Sequence, residues 1–402
     1  PEFLVSSIPR SCWAHTKCII NGGARRKFIF YVSNNVKCGQ TGCSRSVLAF
    51  RFAPLLSPPK PATAYALALA ARPGSQRKMD LNYTSLNFPR HLGPTFQGTN
   101  TLHFSVQELM WAAVTVGRSN IIDVLSHGIY SEYEILYRAS IIVANLSYNG
   151  RGLVKSSAYE SLDPSEKSAV SYFLGLTMTK LLANRLLATP WLLHLDVYKD
   201  QFARNGSAFG FGSSRKKPDL IGLNNNRDWI VFESKGRTNG VEADLLTKAK
   251  TQTRNLRRIG GAIPSMRIAI VTYFINGELF VDWEDPDEFN EKGFDLETNS
   301  NEYLINYYRL IYNILANNET REFNGYITHT FDAVNLTIGL DNGIYNAYRS
   351  NDLGEIQAVK LLTSSNVREL DNQDVYSGTD GILIGLGKNW RELLRTNKRF
   401  NE

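Results

Sequence analysis

The residues best placed to do chemistry together are Asp219, Glu233, Ser234 and Lys235, in the stretch RKKPDLIGLNNNRDWIVFESKGR from Arg215 to Arg237. Pro218-Asp219 leads an apolar run, Asn224-Asn225-Asn226 forms a polar turn, and a second apolar run ends in Glu-Ser-Lys. Strand residues two apart share a face. Trp229, Val231, Glu233 and Lys235 therefore lie on one face, and Ile230, Phe232 and Ser234 on the other. Both faces are apolar until the end, which predicts a buried strand with charges only where it meets an opening. Burying a carboxylate and an ammonium costs several kcal/mol each, on the order of the usual penalty, unless they are paired or meet a metal. Two carboxylates a few ångströms apart also repel. The chemistry these types support is the gripping of a hard cation by oxygen ligands and the stabilisation of developing negative charge by a lysine.

The elements that must position these residues follow from local signals. Asp163-Pro164-Ser165-Glu166 is a helix start, with a capping aspartate, a proline in the first turn and a glutamate three residues on. That helix is expected to run to about Ala188, before Pro190. WLLHLDVYK, from Trp191 to Lys199, reads as a strand. The glycine-rich NGSAFGFGSS follows as a mobile loop; its Gly206, Gly210 and Gly212 lack the strand-turn-helix setting of a dinucleotide fingerprint. Residues 219–223 and 228–235 are the two strands of a hairpin. A helix is expected over 241–259, with Lys248 and Gln252 four apart on one side. MRIAIVTYFI is then a buried strand, and Asn276-Gly277 turns it into ELFVDW.

Pro218-Asp219 followed across a short hairpin by Glu233-Ser234-Lys235, in the order helix, three strands, helix, strand, resembles the signature of the PD-(D/E)XK nuclease superfamily, which includes restriction endonucleases. The similarity covers about residues 163–283. It implies an α/β fold with a mixed sheet, built on a restriction-endonuclease-like αβββαβ core, and a metal-dependent DNA endonuclease activity that hydrolyses phosphodiester bonds. It further implies that Asp219 and Glu233, with the Ser234 carbonyl, hold Mg²⁺ or in its place Mn²⁺. Lys235 would face the scissile phosphate, Gln252 would orient the nucleophile or a metal-bound water, and Lys248 would contact phosphate. Some members add a glutamate from the first helix; Glu166 and Glu160 are candidates, although Glu166 also fits the capping box. Arg215, Lys216, Lys217, Arg237, Lys248 and Arg254 would hold the DNA backbone without reading its sequence. A homodimer is compatible with the resemblance, as are restriction, phage defence and repair.

Each residue also has a plainer reading. Asp219 can be a turn aspartate, Glu233 and Lys235 a strand-end ion pair worth about 0–1 kcal/mol, and Gln252 part of a solvated helix face. A catalytically inactive nucleic-acid-binding or interaction protein with the same fold is the main rival. A different α/β enzyme lacks support, since no nucleophile elbow, P-loop or zinc triplet occurs.

The rest of the chain sets the frame. Its 402 residues suffice for more than one domain, and the formal net charge of +7 suits a nucleic-acid partner. Besides the basic residues already named, Lys250, Arg257 and Arg258 follow the motif. No apolar run is long enough to span a bilayer, and a cytoplasmic setting is expected. Cys12, Cys18, Cys38 and Cys43, with His15 among them, lack tight Cys-x-x-Cys pairs and read as free thiols rather than a zinc site. Four regions are expected: 1–78, poorly patterned and disordered or non-native; 79–155, helical; 156–290, the nuclease-like core; and 291–402, a C-terminal α/β region. In the last, Asp380 reads as a turn residue before a buried strand, and its tyrosines as core or as base-stacking groups.

Overall fold

The computed structural model describes residues 15–22, 26–33, 78–116, 129–195, 217–242, 244–285, 293–350, 374–387 and 390. The chain divides into two units, Pro1–Arg72 and Pro73–Glu402. In the first, β1 (His15–Gly22) and β2 (Arg26–Ser33) form an antiparallel pair, in register from His15↔Ser33 to Gly22↔Arg26. Residues 1–78 thus hold a hairpin that their weak periodicity did not announce. Cys18 falls in β1, while Cys12, Cys38 and Cys43 lie outside the described residues.

The second unit begins with β3 (Met79–Leu86) and β4 (Gly98–Phe104), then α1 (Val106–Thr115) and α2 (Ile129–Asn145). The short β5 (Leu146–Tyr148), β6 (Leu153–Lys155) and α3 (Ser157–Ser161) lead to the long α4 (Pro164–Leu187). Next come β7 (Trp191–His194), β8 (Leu220–Leu223), β9 (Trp229–Gly236), α5 (Leu245–Arg254) and β10 (Leu256–Ile259). They are followed by β11 (Met266–Ile275), β12 (Glu278–Glu284) and β13 (Phe294–Leu296). The C-terminal part holds α6 (Ser300–Asn317), β14 (Arg321–Phe323), β15 (Tyr326–Phe331), β16 (Leu336–Asp341), α7 (Asn342–Arg349), β17 (Val375–Ser377) and β18 (Ile382–Leu386). The class is mixed α/β.

A nine-stranded mixed sheet has the order β4-β3-β12-β11-β9-β8-β7, with β6 pairing β12 and β5 beside it. β9 and β11 are parallel, as are β3 and β12; the other pairs are antiparallel. β8 is buried throughout, β9 until its last two residues and β11 except at its ends, as the apolar stretches 220–223, 229–232 and 268–271 require for strands covered on both faces. Asn276 (φ 50°) and Gly277 (φ 82°) make the left-handed turn joining β11 to β12, which is why an Asn-Gly pair stands there. A separate antiparallel sheet, β14-β15-β16-β18-β17, closes the C-terminal part.

Three sequence expectations are modified. The 79–155 region was expected to be helical, yet it also supplies β3 and β4 to the main sheet, because a strand can pair with a distant partner whose position local periodicity does not encode. The helix expected over 241–259 ends at Arg254. Leu256 and Ile259 instead form β10, which pairs with β13 from Leu256↔Phe294 to Ile259↔Leu296, so a tertiary partner overrides the local pattern. The strand from Trp191 ends at His194, and residues 196–199 lie outside the described residues, as does the glycine-rich loop.

The C-terminal region shares the hydrophobic core of the main sheet. The Tyr303 hydroxyl donates to the carbonyls of Trp191 (3.0 Å) and Ile221 (2.7 Å), and Trp191 Nε1 donates to the Tyr308 hydroxyl at 2.8 Å. With Tyr307 also buried, these tyrosines serve packing. A polar knot lies beside them. Lys180 of α4, fully buried, donates to the Pro190 carbonyl and to the Tyr307 hydroxyl (2.7 Å), which donates in turn to Asp380 Oδ2 at 2.6 Å. Asp380 also accepts from Trp111 Nε1 at 3.0 Å and from the Ile382 amide at 3.1 Å. The Lys180 ammonium stands 4.6 Å from the Trp111 ring centre. Asp380 does precede a buried strand, and its side chain also ties that strand to α1, α4 and α6. Among the described residues, no helix is long and apolar enough to cross a membrane.

Candidate active site

The site is built by the β8–β9 hairpin. Its register, Leu220↔Phe232 to Leu223↔Trp229, brings Asp219, one residue before β8, opposite Glu233. The two acids then clasp reciprocally. The Asp219 amide donates to Glu233 Oε2 at 2.9 Å, and the Ser234 amide donates to Asp219 Oδ2 at 3.1 Å. The Lys235 ammonium bonds Glu233 Oε1. Asp219, Glu233, Ser234 and Lys235 are therefore brought together at one end of a buried strand pair.

Burial differs sharply among them. Glu233 is 0 % exposed, whereas the Lys235 side chain keeps 24 % of its surface. Burial above all, and then the Asp219 charge, push the Glu233 carboxyl up from 4.5 to about 8, with Lys235 opposing the rise. In front lies a cavity of about 300 Å³ lined by Asp219, Ser234, Lys235, Gly236, Arg237 and Thr238 of the hairpin, with Ser168 and Tyr172 of α4. Glu233 stands behind this wall.

Helix α4 packs against the hairpin through close backbone approach. A Cβ on Gly236 would lie 1.8 Å from the Ser171 carbonyl oxygen, and one on Gly175 would lie 3.1 Å from Ser234 Oγ. Glycine at both positions lets helix and strand meet. The Thr179 hydroxyl stands 2.9 Å from the Gly175 carbonyl and 3.0 Å from Ser234 Oγ. The Ser234 side chain thus belongs to the α4 contact. Since alternate strand residues face opposite ways, the Glu233 and Lys235 side chains leave β9 on the face opposite Ser234, and Lys235 borders the cavity only where the strand ends.

The remaining expected residues are placed as follows. Gln252 Nε2 donates to the Lys217 carbonyl at 3.0 Å, anchoring α5 to the segment that leads into Asp219. Arg237 lines the cavity and donates to the Gly236 carbonyl at 3.0 Å. Lys217 and Arg254 are half-buried, and Arg215 and Lys216 lie outside the described residues. Lys248 is exposed and pairs with Asp244 at 2.6 Å. Glu166 closes the capping box of α4: it accepts from the Asp163 amide at 3.2 Å, is exposed, and is not a cavity-lining residue. Glu160, on α3, is exposed as well. The basic cluster is partly neutralised internally. Lys250 pairs with Glu284, and Arg257 makes two bonds to Asp295 at 2.8 and 2.6 Å. A lysine or arginine finds its carboxylate through tertiary contact, so a count of local charge overstated the free positive surface.

Ser168, Tyr172 and Thr238 were not singled out from sequence. Ser168 and Tyr172 lie one turn apart on the same side of α4, a helical spacing that becomes informative only once the helix is known to face the hairpin. The Tyr172 hydroxyl also meets His194 Nε2, at the end of β7, at 2.9 Å.

As a cation site the donor set is two carboxylates, Asp219 and Glu233, supplemented by backbone carbonyl oxygen. Among the described residues, no group of three or more His, Cys, Asp or Glu side chains could hold a metal. Two hard carboxylates with remaining lone pairs suit an ion that keeps several waters, as Mg²⁺ does. No family model matches the chain, and no curated protein or solved structure shows significant similarity to it.

Proposed function

We propose that this chain is a metal-dependent nuclease that hydrolyses DNA phosphodiester bonds at the β8–β9 site. One observation carries the reading: Asp219 and Glu233 clasp across a buried strand pair, with Lys235 on the same carboxylate and a cavity in front. Glu233 is fully buried and the Asp219 charge beside it raises its carboxyl further, a cost that disfavours a purely structural contact. The order α4–β7–β8–β9–α5–β10–β11 supports a restriction-endonuclease-like core carrying β10 as an addition.

Asp219, Glu233 and the Ser234 carbonyl would hold Mg²⁺ or Mn²⁺. When bound, such an ion polarises a phosphoryl oxygen and acidifies a water molecule. The protein's own groups do the rest. Lys235, at the border of the cavity, would turn its ammonium from Glu233 to negative charge developing on the phosphate. Arg237 on the cavity wall holds a backbone phosphate. Gln252 acts as a positioning residue, fixing the Lys217 carbonyl and through it the approach to Asp219.

A catalytically inactive DNA-binding or interaction protein is the second reading, favoured by the bond that turns Lys235 toward Glu233. Cleavage assays with Mg²⁺ or Mn²⁺ on single-stranded, duplex and branched DNA separate the two. Asp219→Ala and Lys235→Ala are expected to abolish cleavage while leaving DNA binding largely in place. Equal cleavage by wild type and both variants ends the nuclease assignment; metal-free binding with no cleavage under any condition establishes the second reading.

A further inference from the structure

Aromatic side chains lie exposed beside the cavity, on a surface shared by α2 and α4. Tyr133 is 58 % exposed, Tyr137 55 % and Tyr172 38 %. Tyr133 and Tyr137 are four residues apart, one above the other on α2, with a rise of about 6 Å between them. Tyr137 meets Phe173 edge-on at 5.8 Å between ring centres, and Phe173 meets Tyr172 at 5.6 Å. Tyr172 is itself a wall of the cavity. The row of rings thus begins in solvent and ends where Asp219 and Lys235 stand.

Phe173 packs between Tyr137 and Tyr172, but this packing does not account for the exposure of the three tyrosines. The tyrosines of α6 are buried and spend their hydroxyls on backbone carbonyls and buried polar partners, as an aromatic residue recruited for a core does. Tyr133 and Tyr137 leave more than half of their surface in water. Rings spaced along a path, with cations at its end, are what single-stranded nucleic acid requires: bases stack on the rings while Lys and Arg take the phosphates. Arg237 supplies such a cation on the cavity wall. A duplex hides its base faces in its own stack and cannot use the rings.

We propose that Tyr133, Tyr137, Phe173 and Tyr172 form a stacking track for unpaired DNA bases that delivers the strand to the cavity. This inference rests on the nuclease reading for the purpose of the track, yet its test needs neither metal nor cleavage. Fluorescence anisotropy of the full chain, in chelator, would compare a labelled oligothymidylate with a duplex of equal length. Tyr137→Ala is expected to weaken single-strand binding about 5- to 150-fold, the usual loss of one stacked base, with duplex affinity little changed. Tyr137→Phe, which keeps the ring, is expected to retain single-strand affinity. The track is overturned if Tyr137→Ala stays within about twofold of wild type on the oligothymidylate, if both ligands lose affinity equally, or if the phenylalanine variant is as weak as the alanine one. Because binding is read without hydrolysis, loss of the track leaves the cleavage result of Asp219→Ala standing, and absence of cleavage leaves the track standing.

Discussion

Glu233→Gln tests the physical heart of the site. Glu233 is fully buried, and burial with the Asp219 charge moves its carboxyl from 4.5 to about 8. Between those values the folded chain keeps a proton that the unfolded chain has lost. Stability therefore falls as pH rises across the window: the contribution is fully present below about pH 4.5 and gone above about pH 8. At about 1.4 kcal/mol per pH unit, the swing reaches as much as about 5 kcal/mol. Glutamine carries no such proton. Urea denaturation in chelator should give a wild-type stability that declines across this window relative to the variant. A second readout concerns the cation. Mg²⁺ must displace the Glu233 proton to use the carboxylate, so calorimetry near neutral pH should record about one proton released by wild type and none by Glu233→Gln. Parallel stability profiles for the two proteins would refute the claim that burial holds Glu233 protonated, and equal proton release would refute its place in the cation site.

Two further predictions concern the scaffold. Gly236→Ala puts a methyl 1.8 Å from the Ser171 carbonyl oxygen, so α4 and β9 must separate; thermal denaturation should show a loss of about 3 kcal/mol or more. Lys180 is moved from 10.5 down to about 7, chiefly by burial, with Asp380 opposing. Between those values the unfolded chain holds the proton that the folded chain has released, so stability rises with pH across that window. Lys180→Met should remove this rise, worth up to about 5 kcal/mol; a variant with the wild-type slope would show that another group causes it.

How much was legible can be argued residue by residue. The apolar runs of 220–223, 229–232 and 268–271 specified buried strands, because strands covered on both faces lack a polar alternation. Asn276-Gly277 specified its turn, because few other pairs tolerate two successive positive φ values. Asp163 and Glu166 specified the start of α4, since a capping box is satisfied within one turn. These are local constraints, and sequence alone determined them. The partnership of β12 with β3, the conversion of 256–259 into a strand beside β13, the carboxylates that neutralise Lys250 and Arg257, and the burial of Lys180 against Asp380 were decided by tertiary structure. Each joins residues far apart in the chain, and a one-dimensional pattern records a residue's character without recording what will be folded against it.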